Sequence, residues 1–160
     1  MNNHPLSSLI SNQGLLEELA KEYGTPLYVY SESRLKDNIN RLSSAIGNSF
    51  KNHQIYYAVK ANSNIHIISA LKESLNSLGC DCSSPGELYA AQKTSVDISN
   101  CVYTGNYESI DDLQSAYKSG CEINLDDPNS LKRMETIGIP EYLSFRLNPG
   151  KGYGQFKGIM

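Results

Sequence analysis

Ile55-Tyr56-Tyr57-Ala58-Val59-Lys60-Ala61-Asn62 is the stretch of sequence that decides the fold of this chain. Residues 55–59 suit a buried strand, polar turns flank the stretch, and the apolar run ends on Lys60. A run that is apolar on both faces is typical of a parallel strand inside an α/β layer. Because side chains alternate along a strand, Tyr56, Ala58 and Lys60 are expected to share one face. Chemistry in α/β folds lies at the carboxyl ends of such strands, so Lys60 stands where a functional side chain is expected.

The composition limits the classes of protein to which the chain can belong. With 160 residues and 39% hydrophobic content, the chain can form a core of domain size. Its formal net charge of −3 and scattered basic residues argue against binding to nucleic acid. No apolar run approaches the roughly 20 residues that span a bilayer, and the first residues lack the pattern of a signal peptide. We therefore expect a cytoplasmic protein without a membrane partner.

The four cysteines do not suggest a metal site. Cys80, Cys82, Cys101 and Cys121 form no Cys-x-x-Cys pair, and no histidine lies at zinc spacing from them. We expect them to be small buried hydrophobic residues near the starts of strands rather than metal ligands or disulfides.

The chain reads as a series of strand–helix units. Strands are predicted at residues 27–30, 55–59, 79–82, 98–103, 121–125 and 142–147. Helices are predicted at 9–22, at 32–47 after a Ser31 cap, at 65–78 after an Asn64 cap, from Ser84 through Ala91, from Ser109 to Gly120, and at 128–137. Ser84-Pro85-Gly86-Glu87 has the pattern of a capping box with proline in the first turn.

The spacing of these units favours a barrel. From residue 55 onward the strands recur every ~21–25 residues, the size of a compact βα unit. Even spacing with short loops favours a (β/α)8 TIM barrel over an open doubly wound sheet, and no Gly-x-Gly-x-x-Gly follows the first strand. The predicted fold class is therefore α/β, the N-terminal part of such a barrel with about five strands. We expect residues 1–30 to form an N-terminal helix and strand, and residues 31–160 to belong to the barrel of a longer protein.

Four side chains are placed to carry chemistry at strand ends or just after them: Lys60, Asp81, Glu87 and Arg146. In a barrel they converge on one mouth. A lysine amine forms Schiff bases with carbonyls, and the two acids could hold its charge or move protons. Arg146 could neutralise a phenolate or carboxylate. The residues alone leave open a solvated Lys60, a turn role for Asp81 and a purely capping role for Glu87, whereas Arg146 inside an apolar strand requires a partner.

Three ordered motifs resemble the fold-type III pyridoxal-phosphate decarboxylases, the family of diaminopimelate, ornithine and arginine decarboxylases with an alanine-racemase-like barrel. Residues 57–62 resemble the lysine motif of that family, and residues 79–88 resemble its second-strand motif. Residues 145–150 resemble the Arg-x-Asn-Pro stretch of the diaminopimelate branch. Residues 25–30 are similar to the strand that precedes the family's barrel, so the resemblance covers nearly the whole chain from Gly24 onward.

The resemblance implies a function and a cofactor. The protein would be a pyridoxal-phosphate-dependent carboxy-lyase that converts meso-diaminopimelate to L-lysine and releases CO2. Lys60 would carry pyridoxal 5'-phosphate as an internal aldimine, and Asp81, Glu87 and Arg146 would line the cofactor end of the barrel. A C-terminal β-domain, absent from this chain, would pack on the N-terminal segment, and a homodimer would complete the site. Because the family's phosphate loop would lie after Met160, we expect weak or absent cofactor binding by this chain alone.

Alternatives remain at this point. The substrate could be ornithine, arginine or a polyamine precursor, acted on by an enzyme of the same fold. The chain could belong to a non-catalytic barrel homologue that binds a partner protein, or to an α/β domain in which Lys60 is merely solvated. The tail after Gly150 departs from the histidine-containing stretch of bacterial diaminopimelate enzymes.

Overall fold

The computed structural model of the chain describes residues 12–147. Its helices are α1 (Gln13–Tyr23), α2 (Glu32–Gly47), α3 (Ile65–Ser74), α4 (Pro85–Gln92), α5 (Ile110–Ser119) and α6 (Pro128–Ile137). Its strands are β1 (Tyr56–Ala58), β2 (Gly79–Cys82), β3 (Val102–Tyr103), β4 (Glu122–Leu125) and β5 (Leu143–Phe145). Two short 3-10 turns, Val59–Ala61 and Ile98–Asn100, lie directly after β1 and shortly before β3.

The five strands form one parallel sheet in their order along the chain, β1-β2-β3-β4-β5. A helix follows each of the first four strands, and the helices from α2 to α6 pack pairwise on their neighbours in sequence. Since every pair of strands is parallel, all the carboxyl ends lie along one edge of the sheet. The prediction of repeated βα units is confirmed.

One face of the sheet is covered by the helices, and the other is open. On β2, Cys80 and Cys82 are fully buried against the helices, whereas Asp81 between them is half-buried on the opposite face. Asp81 is in register with Ala58 of β1 and Val102 of β3, so the open face continues across the sheet. In a closed barrel this would be the inner face.

The main core lies between the sheet and helices α3 to α6. Its buried members are Val59, Ile68, Cys80, Cys82, Leu88, Ala91, Val96, Cys101, Tyr103, Leu113, Ala116, Cys121, Ile123, Leu125 and Met134. A second cluster joins α2 to α3 through Ile39, Ile55, Ile67, Leu71 and Leu78. Burying a large aliphatic side chain contributes about 1.5–3 kcal/mol, so these clusters hold the helices on the covered face. The four cysteines are free and buried, as predicted.

The helix starts follow the predicted capping residues. A side-chain oxygen accepts a hydrogen bond from a backbone N–H of the first turn at Ser31, Asn64, Ser84 and Ser109. The reciprocal bonds of a full capping box form at Ser109 and Asp112. At Ser84 only half of the predicted box forms, because the Glu87 carboxylate bonds to the residue before the cap.

The segment at residues 27–30 forms neither a helix nor a strand, so the prediction of a strand there is wrong. Its side chains are 37–87% exposed, and no strand of residues 12–147 lies beside it to complete a ladder. A cis peptide bond joins Thr25 to Pro26 at its start. The predicted helix before it begins at Gln13, and residues 1–11 lie outside the described part of the chain.

Three further boundaries differ from the prediction. The segment 98–103 is a 3-10 turn followed by a two-residue strand, because the Asp97 side chain accepts from Ser99 N and starts the turn. Helix α3 ends at Ser74, so Leu75 and Leu78 pack from the following loop. Strand β5 is limited to Leu143–Phe145, and the predicted turn at 148–150 lies outside the described residues.

A search of the helices within residues 12–147 for a segment long and apolar enough to cross a bilayer finds none.

Candidate functional site

A polar cleft opens at the carboxyl ends of the strands. It has a volume of about 470 Å³ and is lined by Lys60, Asp81 and Arg146, three of the four side chains that the sequence singled out. Ser83, Thr104, Asn106 and Asn124 complete its described lining. The lining comes from the ends of all five strands or from the loops after them, as expected when parallel strands end at one edge.

Lys60 reaches this cleft from a turn and not from the strand itself. Strand β1 stops at Ala58, and the 3-10 turn Val59–Ala61 follows it. The strand is shorter than expected, but Lys60 still lies on the side of the sheet that carries Ala58 and Asp81, since both Lys60 and Asp81 line the cleft and Ala58 is in register with Asp81. Val59 is fully buried and anchors the turn in the core, whereas the next residue, Lys60, is exposed at the cleft.

Two tyrosines brace the turn that carries Lys60. The Tyr57 hydroxyl donates to the backbone oxygen of Asn62 at 2.9 Å. The Asn62 amide nitrogen in turn donates to the Tyr30 hydroxyl at 3.0 Å. The segment 27–30 before α2 is thereby connected to the chain that leaves the turn, although it pairs with no strand in the described region.

Asp81 occupies the third position of β2 on the open face of the sheet. Its neighbours in register, Ala58 and Val102, have small or medium apolar side chains that leave room above the sheet. The carboxylate therefore lies in the cleft beside the turn of Lys60.

Glu87 is the one candidate that the structure does not bring into the cleft lining. Both of its carboxylate oxygens are occupied by Ser83: the backbone N–H donates at 2.8 Å and the hydroxyl at 3.0 Å. Ser83 itself lines the cleft. Glu87 thus acts on the cleft wall through Ser83, from the first turn of α4.

Arg146 follows β5 and is tied to the sheet by its backbone, whose N–H donates to Leu125 O at 2.8 Å. The sequence predicted a charge inside an apolar strand. Instead, Phe145 is 48% exposed and Leu147 is 90% exposed, because no described helix covers β5. Arg146 lines the same cleft as Lys60 but follows β5, the edge strand opposite to β1.

The sequence analysis missed the neutral polar residues of the cleft. Asn124 lies between buried Ile123 and Leu125 on β4, and its amide donates to Thr104 Oγ1 at 3.2 Å. The apolar–polar–apolar alternation of residues 123–125 could have predicted a polar side chain on the open face. Asn106, in the loop after β3, offered no such periodicity.

The cleft combines two cationic groups, one carboxylate, two hydroxyls and two amides. Such a set suits a small anionic ligand with several polar substituents, because the cations offset its charge and the neutral groups orient it. An exposed lysine amine at its edge adds a nucleophile.

Comparison with known proteins identifies the family. The family model "Pyridoxal-dependent decarboxylase, pyridoxal binding domain" matches residues 36–159. The chain belongs to this family. It is 44% identical over 139 residues to the diaminopimelate decarboxylase of Methanothermobacter thermautotrophicus, a match that covers 86% of this chain and 32% of that protein.

Solved structures confirm the fold. The diaminopimelate decarboxylase of Helicobacter pylori, complexed with L-lysine, aligns with a TM-score of 0.64 and 34% identity over 76% of this chain and 30% of its own. The M. jannaschii enzyme, also in complex with L-lysine, aligns with a TM-score of 0.68 and 32% identity over 75% of this chain and 28% of its own. The prediction of an α/β chain forming part of a (β/α)8 barrel is confirmed, and the chain spans about a third of the length of these relatives.

Proposed function

We propose that the protein is a pyridoxal-phosphate-dependent carboxy-lyase that converts meso-diaminopimelate to L-lysine with release of CO2. The observation that carries the proposal is the convergence of Lys60, Asp81 and Arg146 on one polar cleft at the carboxyl edge of the sheet. The family membership supports the same cofactor, since the matched model is that of a pyridoxal binding domain.

The cleft residues fit pyridoxal phosphate. Lys60 would hold the cofactor covalently through Nζ, and Arg146 would offset negative charge on the cofactor or on the substrate carboxylate. When bound, pyridoxal phosphate supplies an electron sink for the carbanion left by a departing carboxylate. Asp81 would stabilise the protonated Lys60 amine and hold a proton near it. Thr104 and Asn124, already hydrogen-bonded to each other, would present fixed polar groups to the ligand.

The choice of substrate rests on the relatives. The Methanothermobacter relative is named as a diaminopimelate decarboxylase, and the two solved relatives with that activity are complexed with L-lysine. L-Lysine is the product when one carboxylate of diaminopimelate leaves as CO2 and a proton takes its place on the same carbon. An ornithine, arginine or polyamine-precursor substrate is the alternative within the same fold.

The proposal extends to the whole protein. We propose that further βα units close the barrel over the open face, since β1 and β5 each pair on one side only within residues 12–147. The exposed segment 27–30 would pack on a C-terminal β-domain, and a homodimer would complete the active site. Three further points stay predictions. They are the division of the chain into an N-terminal segment (1–30) and a barrel segment (31–160), the cytoplasmic location, and the weak cofactor binding of the isolated chain.

Borohydride trapping tests the role of Lys60. The protein at its natural length is incubated with pyridoxal phosphate, reduced, digested and mapped by mass spectrometry. We expect a pyridoxyl group on the peptide that carries Lys60 and its loss in Lys60→Ala. Lys93→Ala is the matched control, because Lys93 lies over the Tyr89 ring on the covered side of the sheet. A pyridoxyl group on another lysine would contradict the assignment.

A substrate panel then separates the alternatives. Release of CO2 and formation of the amine product are measured with meso-diaminopimelate, ornithine, arginine and lysine. Turnover of meso-diaminopimelate alone, with L-lysine as the product, supports the proposal. Turnover of ornithine or arginine instead would change the proposed substrate but not the proposed enzyme class. A stable cofactor-loaded protein that releases CO2 from none of them would indicate a non-catalytic homologue.

A further inference from the structure

A cluster of three carboxylates lies beside the cleft, between two of its loops. Glu108 belongs to the loop between β3 and α5, and Asp126 and Asp127 lie between β4 and α6. One carboxylate oxygen from each residue lies within 4.8 Å of the other two. Glu108 is only 4% exposed, so its charge is almost entirely removed from water.

Two oxygens of this cluster are buried without a hydrogen-bond partner in the described part of the chain: Glu108 Oε1 and Asp126 Oδ1. The other Glu108 oxygen accepts from Ser130 Oγ at 2.9 Å, and the same hydroxyl lies 2.8 Å from Asp127 Oδ2. A buried carboxylate oxygen without a donor costs free energy, so a structure that keeps two of them together indicates a missing positive group.

The protein supplies only part of the compensating charge. Arg133 donates to Ser130 Oγ at 2.9 Å and lies 3.4 Å from Asp127 Oδ2, which leaves Glu108 and Asp126 without a basic partner in residues 12–147. Burial, with Asp126 and Asp127 as further contributors, raises the pKa of the Glu108 carboxyl. Three carboxylates against one guanidinium leave two negative charges uncompensated when all are ionised.

We propose that Glu108, Asp126 and Asp127 bind a hard divalent cation, of the class of Ca²⁺, Mg²⁺ or Mn²⁺, which ties together the loops that follow β3 and β4. All the donors are oxygens, which these cations prefer. Ca²⁺ binds oxygen at about 2.3–2.6 Å, so opposite ligands lie about 4.6–5.2 Å apart, a span that accommodates the separation in this cluster.

The backbone supports the cluster on the β3 side. A Cβ added at Gly105 would lie 2.5 Å from Glu108 Cγ and 3.0 Å from the Tyr103 hydroxyl. A larger residue at this position would displace the glutamate, so Gly105 allows Glu108 to pack inward over Tyr103. Close packing at Gly105 and Tyr103 therefore limits the positions open to the Glu108 side chain.

The two loops of the cluster also form the cleft wall. Asn106 and Asn124 line the cleft, and each lies two residues before an acid of the cluster. A cation bound by Glu108 and Asp126 would fix the spacing of these two asparagines. Its role would be positional, and the proposal holds whether or not the cleft performs decarboxylation.

Metal binding tests this proposal directly. The protein at its natural length is stripped with a chelator, and thermal unfolding is followed with Ca²⁺, Mg²⁺ or Mn²⁺ at constant ionic strength. Terbium emission sensitised by Tyr107, next to Glu108, reports binding independently. We expect a saturable rise in Tm, and at least a ~10-fold weaker cation affinity in Glu108→Gln and in Asp126→Asn. Asp111→Asn, an exposed acid in the first turn of α5, is the control and should leave affinity unchanged.

Two results would overturn the proposal. One is the absence of a saturable cation effect in the wild-type protein, with terbium emission unchanged. The other is an equal Tm rise in the wild type, Glu108→Gln and Asp126→Asn, which would place the cation elsewhere. Should Glu108→Gln fold poorly, Asp126→Asn gives the same comparison at a less buried position. A Glu108→Gln variant that is more stable than the metal-free wild type, without any cation effect, would indicate a protonated Glu108 instead.

Discussion

Ser83 donates both its backbone N–H and its hydroxyl to the carboxylate of Glu87, at 2.8 and 3.0 Å. This pair connects the residue that follows β2 to the first turn of α4 and holds one wall of the cleft. Hydrogen bonds to an ionised acceptor are stronger than neutral ones, so this pair fixes Ser83 more firmly than a capping bond alone.

Removal of the Glu87 carboxylate is expected to weaken cofactor binding in the cleft without abolishing it. Glu87→Ala deletes both acceptors of Ser83 and should weaken binding of pyridoxal phosphate about 10-fold, with a loss of about 1–3 kcal/mol in stability. Glu87→Gln should restore most of both, because its amide can accept from the Ser83 N–H and donate to the hydroxyl. Cofactor titration and urea unfolding measure the two effects. Equal cofactor affinity in Glu87→Ala and in the control Glu135→Ala would contradict the positioning role.

The Tyr57 hydroxyl is expected to stabilise the turn of Lys60. Tyr57→Phe removes the donor to Asn62 O and should cost about 1 kcal/mol in the free energy of unfolding, measured by urea denaturation. Tyr142→Phe is the comparison, because Tyr142 is 76% exposed and should lose almost nothing. Identical losses in the two variants would show that the hydrogen bond does not support the turn.

Packing on the covered face is expected to dominate stability. Ile68 is fully buried in the main core, so Ile68→Ala should lower the free energy of unfolding by about 2–5 kcal/mol. Leu42 on α2 is 48% exposed, and Leu42→Ala should cost no more than about 1 kcal/mol. Denaturant midpoints at an unchanged m-value provide the comparison. A larger loss in Leu42→Ala would mean that the outer face of α2 is buried in the natural protein.

The four buried cysteines are expected to resist thiol reagents in the folded protein and to react rapidly in urea. Burial raises the pKa of the Cys82 and Cys121 thiols. Above about pH 8.5 the unfolded thiols ionise while these two keep their protons to higher pH, so the folded state binds more protons and stability falls as pH rises. Labelling rates with and without urea, together with urea midpoints across this pH range, check the prediction. Fast labelling of the native protein would place at least one thiol at the surface.

Local sequence signals were sufficient for the presence of the described helices and for the order of the five strands in the sheet. Helix α6 begins and ends where the sequence predicted, because Asp127 caps it, Pro128 suits its first turn and Gly138 follows its last residue. The strand at 79–82 was also found with its exact bounds, since turn residues flank it on both sides. Short-range chemistry decided these elements.

Other elements depended on partners distant in sequence. Residues 27–30 have the composition of a strand but find no neighbour to pair with in the described region, and a strand exists only as part of a ladder. Glu87 was assigned to the cleft because it lies at the start of the helix that follows the strand of Asp81. Its carboxylate is instead taken up by Ser83, a competition that spacing alone does not reveal.

The amino-acid sequence by itself determined the α/β class, the five parallel strands with a helix after each of the first four, and the three charged groups of the cleft. These features follow from periodicity, capping residues and the rule that parallel strands end at one edge. The tertiary structure decided that Lys60 lies on a turn to which the Tyr57 hydroxyl is hydrogen-bonded, and that the Glu87 carboxylate bonds to Ser83. It also decided that the carboxylates of Glu108 and Asp126 lie close together. Such contacts join residues from different loops, and their geometry depends on how the packed sheet brings the loops together.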